Sequence, residues 1–560
     1  MNRRDFIKKT TQTGLLLGLG HFAILSSGCR KTYDFELLLK DGWIIDGTGN
    51  DGFRADIGIR GGKIAALGRL EVSQAYRVIS LDGLTVAPGF IDVHSHSEEE
   101  LLVNPKAESK IRQGVTTEIL GQDGGSVAPL TPEMQAKRNQ RYQDRYGITV
   151  DWLDFTRYFK RLVESGIAVN VATLVGQGTL REYVLGMEDR PASPAEMNQM
   201  KELAMQALQQ GALGISSGLE YTPGAFASTE EITELCSVMS DRSGLYATHM
   251  RNEDDHVLEA VDEAIRIARN ADTNLHISHL KCMGRRNWDK LDELLARIEE
   301  ARAGGLSVTF DRYPYVAYST TLASLMPLWA REGGTEKFLT RLQDASLITK
   351  IRSATLAKVK MLGSWEAVVI STVNLEKNRT LTGKSVAEIA RTRNQEPFEV
   401  VRSLIIEERN RVGMVGFSMS EENTARILAH PLCMIASDAS ALATYGVLKR
   451  GTPHPRAFGT FPRVLAKYVR QEKIMSLPQA IHKMTGLPAT KFGLKNRGQI
   501  YNGYMADMVI FDPETIQDRA TFSNPYQYPA GIEYVLVNGE VVVEKGEHTG
   551  TLPGKILKRI

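Results

Sequence analysis

At 560 residues the chain is longer than one ordinary domain, so at least two are expected. Hydrophobic residues make up 42% and charged residues 24%, which excludes a disordered or fibrous chain. Lys plus Arg (68) nearly balances Asp plus Glu (66), and a net charge of +2 offers no electrostatic basis for a nucleic-acid partner. The four cysteines, Cys29, Cys236, Cys282 and Cys433, are too scattered for a disulfide framework or a zinc finger.

The N-terminus is basic from Met1 to Lys9 and then apolar from Gly14 to Leu25, too short a run to span a bilayer. Arg3-Arg4-Asp5-Phe6-Ile7-Lys8 resembles a twin-arginine export signal. Leu25-Ser-Ser-Gly-Cys29 resembles a lipoprotein cleavage box, except that Ser26 stands where a large apolar residue is usual. Residues 1–32 are therefore expected to be an export leader. The mature protein would be periplasmic, either free or held at the membrane by a lipid on Cys29.

From about Tyr33 to Leu84 short alternating runs are broken by Gly, as in Phe35–Leu39 and Asp56–Arg60, and read as strands and hairpins. The same texture returns in Asp507–Asp512 and Tyr534–Val543. Neither end alone closes a core, so residues 33–85 and 490–550 are expected to form one small β-sandwich domain, with everything between inserted. Residues 86–489 alternate strand and helix. The strand candidates are Val86–Val93, Val115–Leu120, Ala168–Val175, Ala212–Ser217, Gly244–Thr248, Asn274–Ser278, Leu306–Phe310 and Pro431–Ser437. Ser193-Pro194 and the capping-box spacing of Ser228 to Glu231 mark two helix starts. The pattern predicts an α/β fold, a (β/α)8 TIM-type barrel. About 120 residues separate the last two strand candidates, so a lid-like insertion is expected around 320–420.

Barrel enzymes place their chemistry at the C-terminal ends of strands. The first candidate strand ends in His94-Ser-His96, two imidazoles on one side of a strand and a natural metal claw. The second runs into Glu118-Ile-Leu-Gly-Gln-Asp123, the fifth ends at His249, the sixth at His279 and the eighth at Asp438. Four of only 11 histidines thus fall at strand ends together with an aspartate, which points to a metal site. His276, three residues before His279, faces the other way and reads as structural.

This set resembles the amidohydrolase superfamily. The phrases Pro88–Asp92, Gly114–Thr117, Thr248–Arg251, Ile277–His279, Asp311–Tyr315 with Ser319-Thr320, His454–Arg456 and Gly459–Pro462 narrow the resemblance to the D-aminoacylase (N-acyl-D-amino-acid deacylase) family, over roughly residues 34–550. The family usually has a cysteine ligand after strand 2, within Gly-Asn-Cys-Gly; here Gly121-Gln-Asp123-Gly124 puts an oxygen donor there, and Glu118 is a weaker substitute. The resemblance implies zinc, one ion tightly bound by His249, His279 and Asp123. His94 and His96 would hold a second, weaker ion or complete the first. It implies Asp438 as the catalytic proton carrier, and Arg456, Tyr313 and Ser319 as the grip on a substrate α-carboxylate. Lys281 and Arg251, each two residues beyond a ligand histidine, are expected in the same mouth, facing an acidic or polar side chain. The implied reaction is hydrolysis of the amide of an N-acyl-D-amino acid. A dipeptidase, a hydantoinase- or dihydroorotase-like cyclic amidase, and a non-catalytic surface binding protein are the alternatives. The cyclic amidases usually carry a lysine on strand 4, and neither Ala212–Gly218 nor Ala168–Gly176 contains one.

Overall fold

The computed structural model describes residues 33–240 and 244–559. The leader and Cys29 lie outside these residues. Among the described residues no helix is long and apolar enough to cross a membrane, and Cys236, Cys282 and Cys433 are free and buried.

The barrel strands are β1 (Phe90–Asp92), β2 (Val115–Leu120), β3 (Asn170–Thr173, continued by Val175–Gly176), β4 (Gly214–Gly218), β5 (Leu245–His249), β6 (Asn274–Ile277), β7 (Val308–Arg312) and β8 (Cys433–Ile435). Each pairs in parallel with the next, with Asp92 opposite Glu118, Gly218 opposite His249 and Arg312 opposite Ile435. Every residue of β2, β5 and β7 is buried. Strands covered on both faces need such unbroken runs rather than alternation. The ring closes between β8 and β1 just beyond the strands proper. There Asp438 N–H donates to His94 O (2.9 Å) and His96 N–H to Ala439 O (3.3 Å).

Helices return the chain between strands. Pro194–Gln210 starts at Ser193, whose side chain and that of Glu196 form a reciprocal capping box; Thr229–Cys236 starts at Ser228, which accepts from Glu231 N. Each such cap is worth about 1 kcal/mol.

The run Val86–Val93, expected as one barrel strand, is two. Thr85–Pro88 belongs to the small β-domain, and β1 begins at Phe90. The break falls at Gly89, where a Cβ would stand 2.2 Å from the Thr116 side chain. Thr85–Pro88 pairs antiparallel with Met508–Phe511 and so stitches the two chain ends together. Nine strands from both ends make one continuous sheet. Its inward side chains, including Leu37, Ile57, Ile79, Val86, Met508 and Leu536, share one core. Beyond residue 550 the chain turns back onto the barrel, where Gly554 N–H donates to Ile167 O and Leu557 N–H to Val171 O.

Between β7 and β8 lies a unit with its own core. Strands Ala317–Thr321, Gly413–Phe417 and Val368–Thr372 form an antiparallel sheet in that spatial order. Helices Gly334–Arg341, Ala345–Leu362, Val386–Arg393 and Pro397–Glu407 pack around Phe338, Ile351, Ile370, Phe398 and Met414. Ser319, Thr320, Ser371 and Thr372 of this sheet reach the wall of a cavity at the barrel mouth.

Candidate active site

Five strand ends meet at one point. Asp123 is at the centre: its Oδ1 lies 3.4 Å from His94 Nε2, 3.6 Å from His279 Nε2 and 4.0 Å from His249 Nδ1, and its Oδ2 lies 3.6 Å from His96 Nε2. Asp438 Oδ1 is 3.2 Å from His96 Nε2 and 3.7 Å from His94 Nε2. Two donor sets follow, His94 with His96, Asp123 and Asp438, and Asp123 with His249 and His279; within each the donor atoms lie within 4.8 Å of one another. His94 Nε2 and Asp123 Oδ1 are buried without a hydrogen-bond partner. Buried polar atoms left unpaired toward a common centre are costly unless an ion satisfies them. Imidazole and carboxylate donors at these distances fit a divalent metal such as zinc.

The backbone is bent to bring these groups together. Asp123, His279 and Asp438 have φ of 55°, 34° and 50°. That left-handed region costs a non-glycine residue about 1 kcal/mol or more and is held only by its surroundings. His279 N–H is held by Asp311 Oδ1 (2.9 Å), and Asp438 N–H by His94 O. The Asp123 loop wedges against β4: a Cβ on Gly218 would stand 2.0 Å from Asp123 O.

Behind the donors stands a second set of acids that the sequence reading did not assign. Asp311, at the end of β7, sets its Oδ2 3.4 Å from His94 Nδ1 and 3.0 Å from His276 Nε2. His276 Nδ1 in turn meets Thr309 Oγ1 at 2.9 Å. Glu253 Oε1 lies 2.9 Å from His279 Nδ1 and 2.5 Å from Lys281 Nζ. A carboxylate on one ring nitrogen fixes the tautomer and frees the other nitrogen as a donor to metal. Burial opposes the charge on Glu253, but Lys281 and the imidazoles of His249 and His279 outweigh it and hold the carboxyl below its usual range. Burial and Lys281 push His279 down, whereas Glu253 and Asp123 lift it to about 9. Burial lowers His249. Asp438 is held low because Arg456, then His94, outweigh the effect of burial.

Of the two cations expected to face substrate, one does not. Lys281 is buried and committed to Glu253 (2.5 Å). Arg251 lines the cavity beside Glu220, held there by Glu263 (2.9 Å) and by the carbonyls of Ala225 and Ala227. Glu118 is also remote from the donors: it accepts from Ser95 and Ser97 (2.5 Å to the latter) beside the buried Lys110.

Arg456 opens the helix Arg456–Arg463 and lies buried with its Nη1 2.9 Å from Asp438 Oδ2. His454 fixes it: Nδ1 accepts from Arg456 N (3.0 Å) while Nε2 donates to Ala317 O (2.9 Å). Tyr313 is buried between the guanidinium groups of Arg312 and Arg456, at 4.6 and 4.7 Å from its ring, and its hydroxyl has no partner. Ser319 lines the same cavity as Arg456, Asp438 and His96.

A parallel barrel whose strand ends present two facing sets of histidine and aspartate donors, beside a buried guanidinium, is the architecture of a metal-dependent hydrolase. The sequence profile of the amidohydrolase family matches residues 77–543, and the chain belongs to that family. It is 39% identical to the D-aminoacylase of Alcaligenes xylosoxydans xylosoxydans over 94% of this chain and 98% of the relative. Among solved structures it resembles a D-aminoacylase with a binuclear metal centre (38% identity, TM-score 0.78). It also resembles the N-acyl-D-glutamate deacylase of Bordetella bronchiseptica bound to zinc and a phosphonate inhibitor (34%, TM-score 0.80). In both cases 94% of this chain and 100% of the other are covered.

Proposed function

We propose that the protein hydrolyses the amide bond of N-acyl-D-amino acids, with zinc held by Asp123, His249 and His279 and a second, weaker ion by His94, His96, Asp123 and Asp438. The observation that carries this reading is the pair of donor sets sharing Asp123 next to Arg456. The D configuration is supported by the relatives, named as a D-aminoacylase and an N-acyl-D-glutamate deacylase.

Zinc, when bound, supplies Lewis acidity to the amide carbonyl and to water. The side chains do the rest. Arg456 binds the α-carboxylate, with the unpartnered Tyr313 hydroxyl and Ser319 as further donors. Asp438, ionised because Arg456 and His94 hold it low, takes a proton from the attacking water as oxygen bonds to the carbonyl carbon. It returns that proton to the amide nitrogen as the C–N bond breaks, releasing a carboxylate and a free amine. Glu253 and Asp311 keep His279 and His94 pointed inward.

A panel of N-acetyl-D- and N-acetyl-L-amino acids, assayed after chelation and again with added zinc, tests this reading. Zinc-dependent turnover of the D series is expected; equal turnover of the L series, or turnover indifferent to chelation, would contradict it. We also propose export through the twin-arginine-like leader, supported by Arg3-Arg4 and the apolar run to Leu25, with Cys29 as the lipid attachment point. Fractionation of cells carrying Arg3→Lys/Arg4→Lys or Cys29→Ser checks each half: loss of export and release from the membrane are the expected results.

A further inference from the structure

Where the ring closes between β1 and β8 stands a buried ammonium with no task yet in the hydrolysis. Lys110 sits in the short helix Glu108–Ile111, and neither it nor the Asp92 and Glu118 beside it reaches solvent. Its ion partners are Asp92, at 2.6 Å, and Glu118, at 3.5 Å. Its protons are shared among Asp92 Oδ2, Ser95 Oγ (3.0 Å), Ser437 Oγ (2.7 Å) and the carbonyl of Ala439 (2.7 Å). Asp92 and Ser95 belong to the end of β1, Ser437 and Ala439 to the turn beyond β8, so one side chain ties both edges of the seam. Burying an ammonium is costly even when it is paired, and a well-packed apolar side chain would often serve stability as well. What an apolar side chain cannot supply is direction.

Ser437 and Ala439 flank Asp438, the residue held in the left-handed region at φ 50°. A non-glycine residue keeps that conformation only under restraint from its surroundings. Here the restraint is on both sides. Before Asp438, Ser437 N–H donates to Asp92 Oδ1 (2.9 Å) and Ser437 Oγ donates to Asp92 Oδ2 (2.5 Å) while accepting from Lys110. After it, the Ala439 carbonyl accepts from Lys110. Farther along the turn, Ala441 N–H donates to Ser97 Oγ (2.8 Å). Ser109 N–H donates to Leu442 O (3.0 Å), and Leu442 N–H returns a bond to Ser109 Oγ (2.8 Å). Ser109 is the neighbour of Lys110, so the helix that carries the ammonium is itself fastened to the turn it holds. Among the described residues Lys110 forms no ion pair with Asp438, whose carboxylate meets His96 and Arg456 instead.

We propose that Lys110, together with Asp92, is a positioning residue for the hydrolysis: it acts through Ser437 and Ala439 to aim the Asp438 carboxylate between the metal donors and Arg456. This rests on the assignment of Asp438 as the proton carrier. A reacting group misplaced by about 1 Å can cost roughly 100-fold in rate, so a side chain outside the mouth can set kcat. The grip on substrate is independent of it, because Arg456 is fixed by His454 (3.0 Å) and by the ring of Tyr313.

The test is a double-mutant cycle on the zinc-loaded, full-length protein, assayed with the N-acyl-D-amino acid that the parent turns over fastest. Lys110→Met should lower kcat roughly 10- to 100-fold, with KM nearly unchanged and the tight zinc retained. In an Asp438→Asn background the same substitution should cost less than about twofold more, since a residue that works only through Asp438 has nothing left to position. A general support of the fold would instead multiply the two losses, and that result would overturn the proposal. Because Lys110→Met leaves two buried carboxylates without their cation, Ser437→Ala runs the same cycle with the ion pair intact. Its loss in kcat should be smaller, roughly 3- to 10-fold, and should likewise vanish in Asp438→Asn. Loss of the tight zinc from both variants, or a Ser437→Ala that keeps the parent kcat, would also overturn it. A parent that turns over no N-acyl-D-amino acid sinks the hydrolase reading and this role with it; an active parent whose losses multiply sinks the role of Lys110 alone.

Discussion

The two halves of the donor cluster share Asp123 but are braced differently. On the β5/β6 side, His249 and His279 are buried, and His279 is clamped by Glu253 at 2.9 Å, which Lys281 holds in turn at 2.5 Å. On the β1/β8 side, His94 is braced by Asp311, but His96 is 32% exposed at its side chain, where it meets Asp123, Asp438 and the ring of His94. Asp438 is in turn divided between His96 and Arg456. Preorganised donors lose less freedom on binding an ion. The β5/β6 half is therefore built to keep a metal, and the β1/β8 half to exchange ligands and move protons.

The sharpest way to break this contrast is Asp438→Asn. If that carboxylate carries the proton, turnover should fall by about 10²- to 10⁴-fold while the tight zinc on Asp123, His249 and His279 is retained. A rate within a fewfold of the parent would move the base elsewhere. A smaller effect is expected from Glu253→Gln, which removes the clamp on His279 and leaves Lys281 facing a neutral amide. Zinc affinity measured by competition with a chelator should drop roughly 10- to 100-fold. If His96→Ala costs the tight ion more than Glu253→Gln does, the two halves have been assigned the wrong way round.

The smallest predicted effect concerns the wall rather than the donors. Unfolded glutamate releases its proton near 4.5, whereas folded Glu100 holds it to about 8. Across that window the fold binds a proton that the unfolded chain has lost. This stabilising contribution is fully present below the lower value and is lost as pH rises through the upper one. Urea melts should show stability falling between pH 5 and 8, and Glu100→Gln should flatten that slope. An identical slope in the variant would remove Glu100 from the account.

How much of this was legible in the sequence depends on how directly each residue acts. His94, His96, His249, His279 and Asp438 stand at strand ends, so counting strands found them before any coordinates did. Glu253 carries no such mark, and Asp311, though it stands at a strand end, was passed over because both act through another side chain. The only cue was position, Glu253 four residues after His249 and Asp311 at the end of β7. Lys281 was misread for the complementary reason, and Arg251, which does line the cavity beside Glu220, is tied to an acid as well. A cation just past a strand end serves either the mouth or a nearby acid, and the deciding partners, Glu253 and Glu263, become neighbours only in the fold. Val86–Val93 looked like one strand because apolar residues on both sides of Gly89 are buried, though in different sheets. The barrel itself was legible because parallel strands buried on both faces leave unbroken apolar runs.

The central claim is that one aspartate, standing where the family usually has a cysteine, belongs to both donor sets. Metal content of Asp123→Ala, measured by mass spectrometry beside His96→Ala, tests it most directly. Asp123→Ala should lose the tight ion as well as the weak one, whereas His96→Ala should lose only the weak one. Asp123→Ala that purifies with its tight zinc at the parent level would contradict the account.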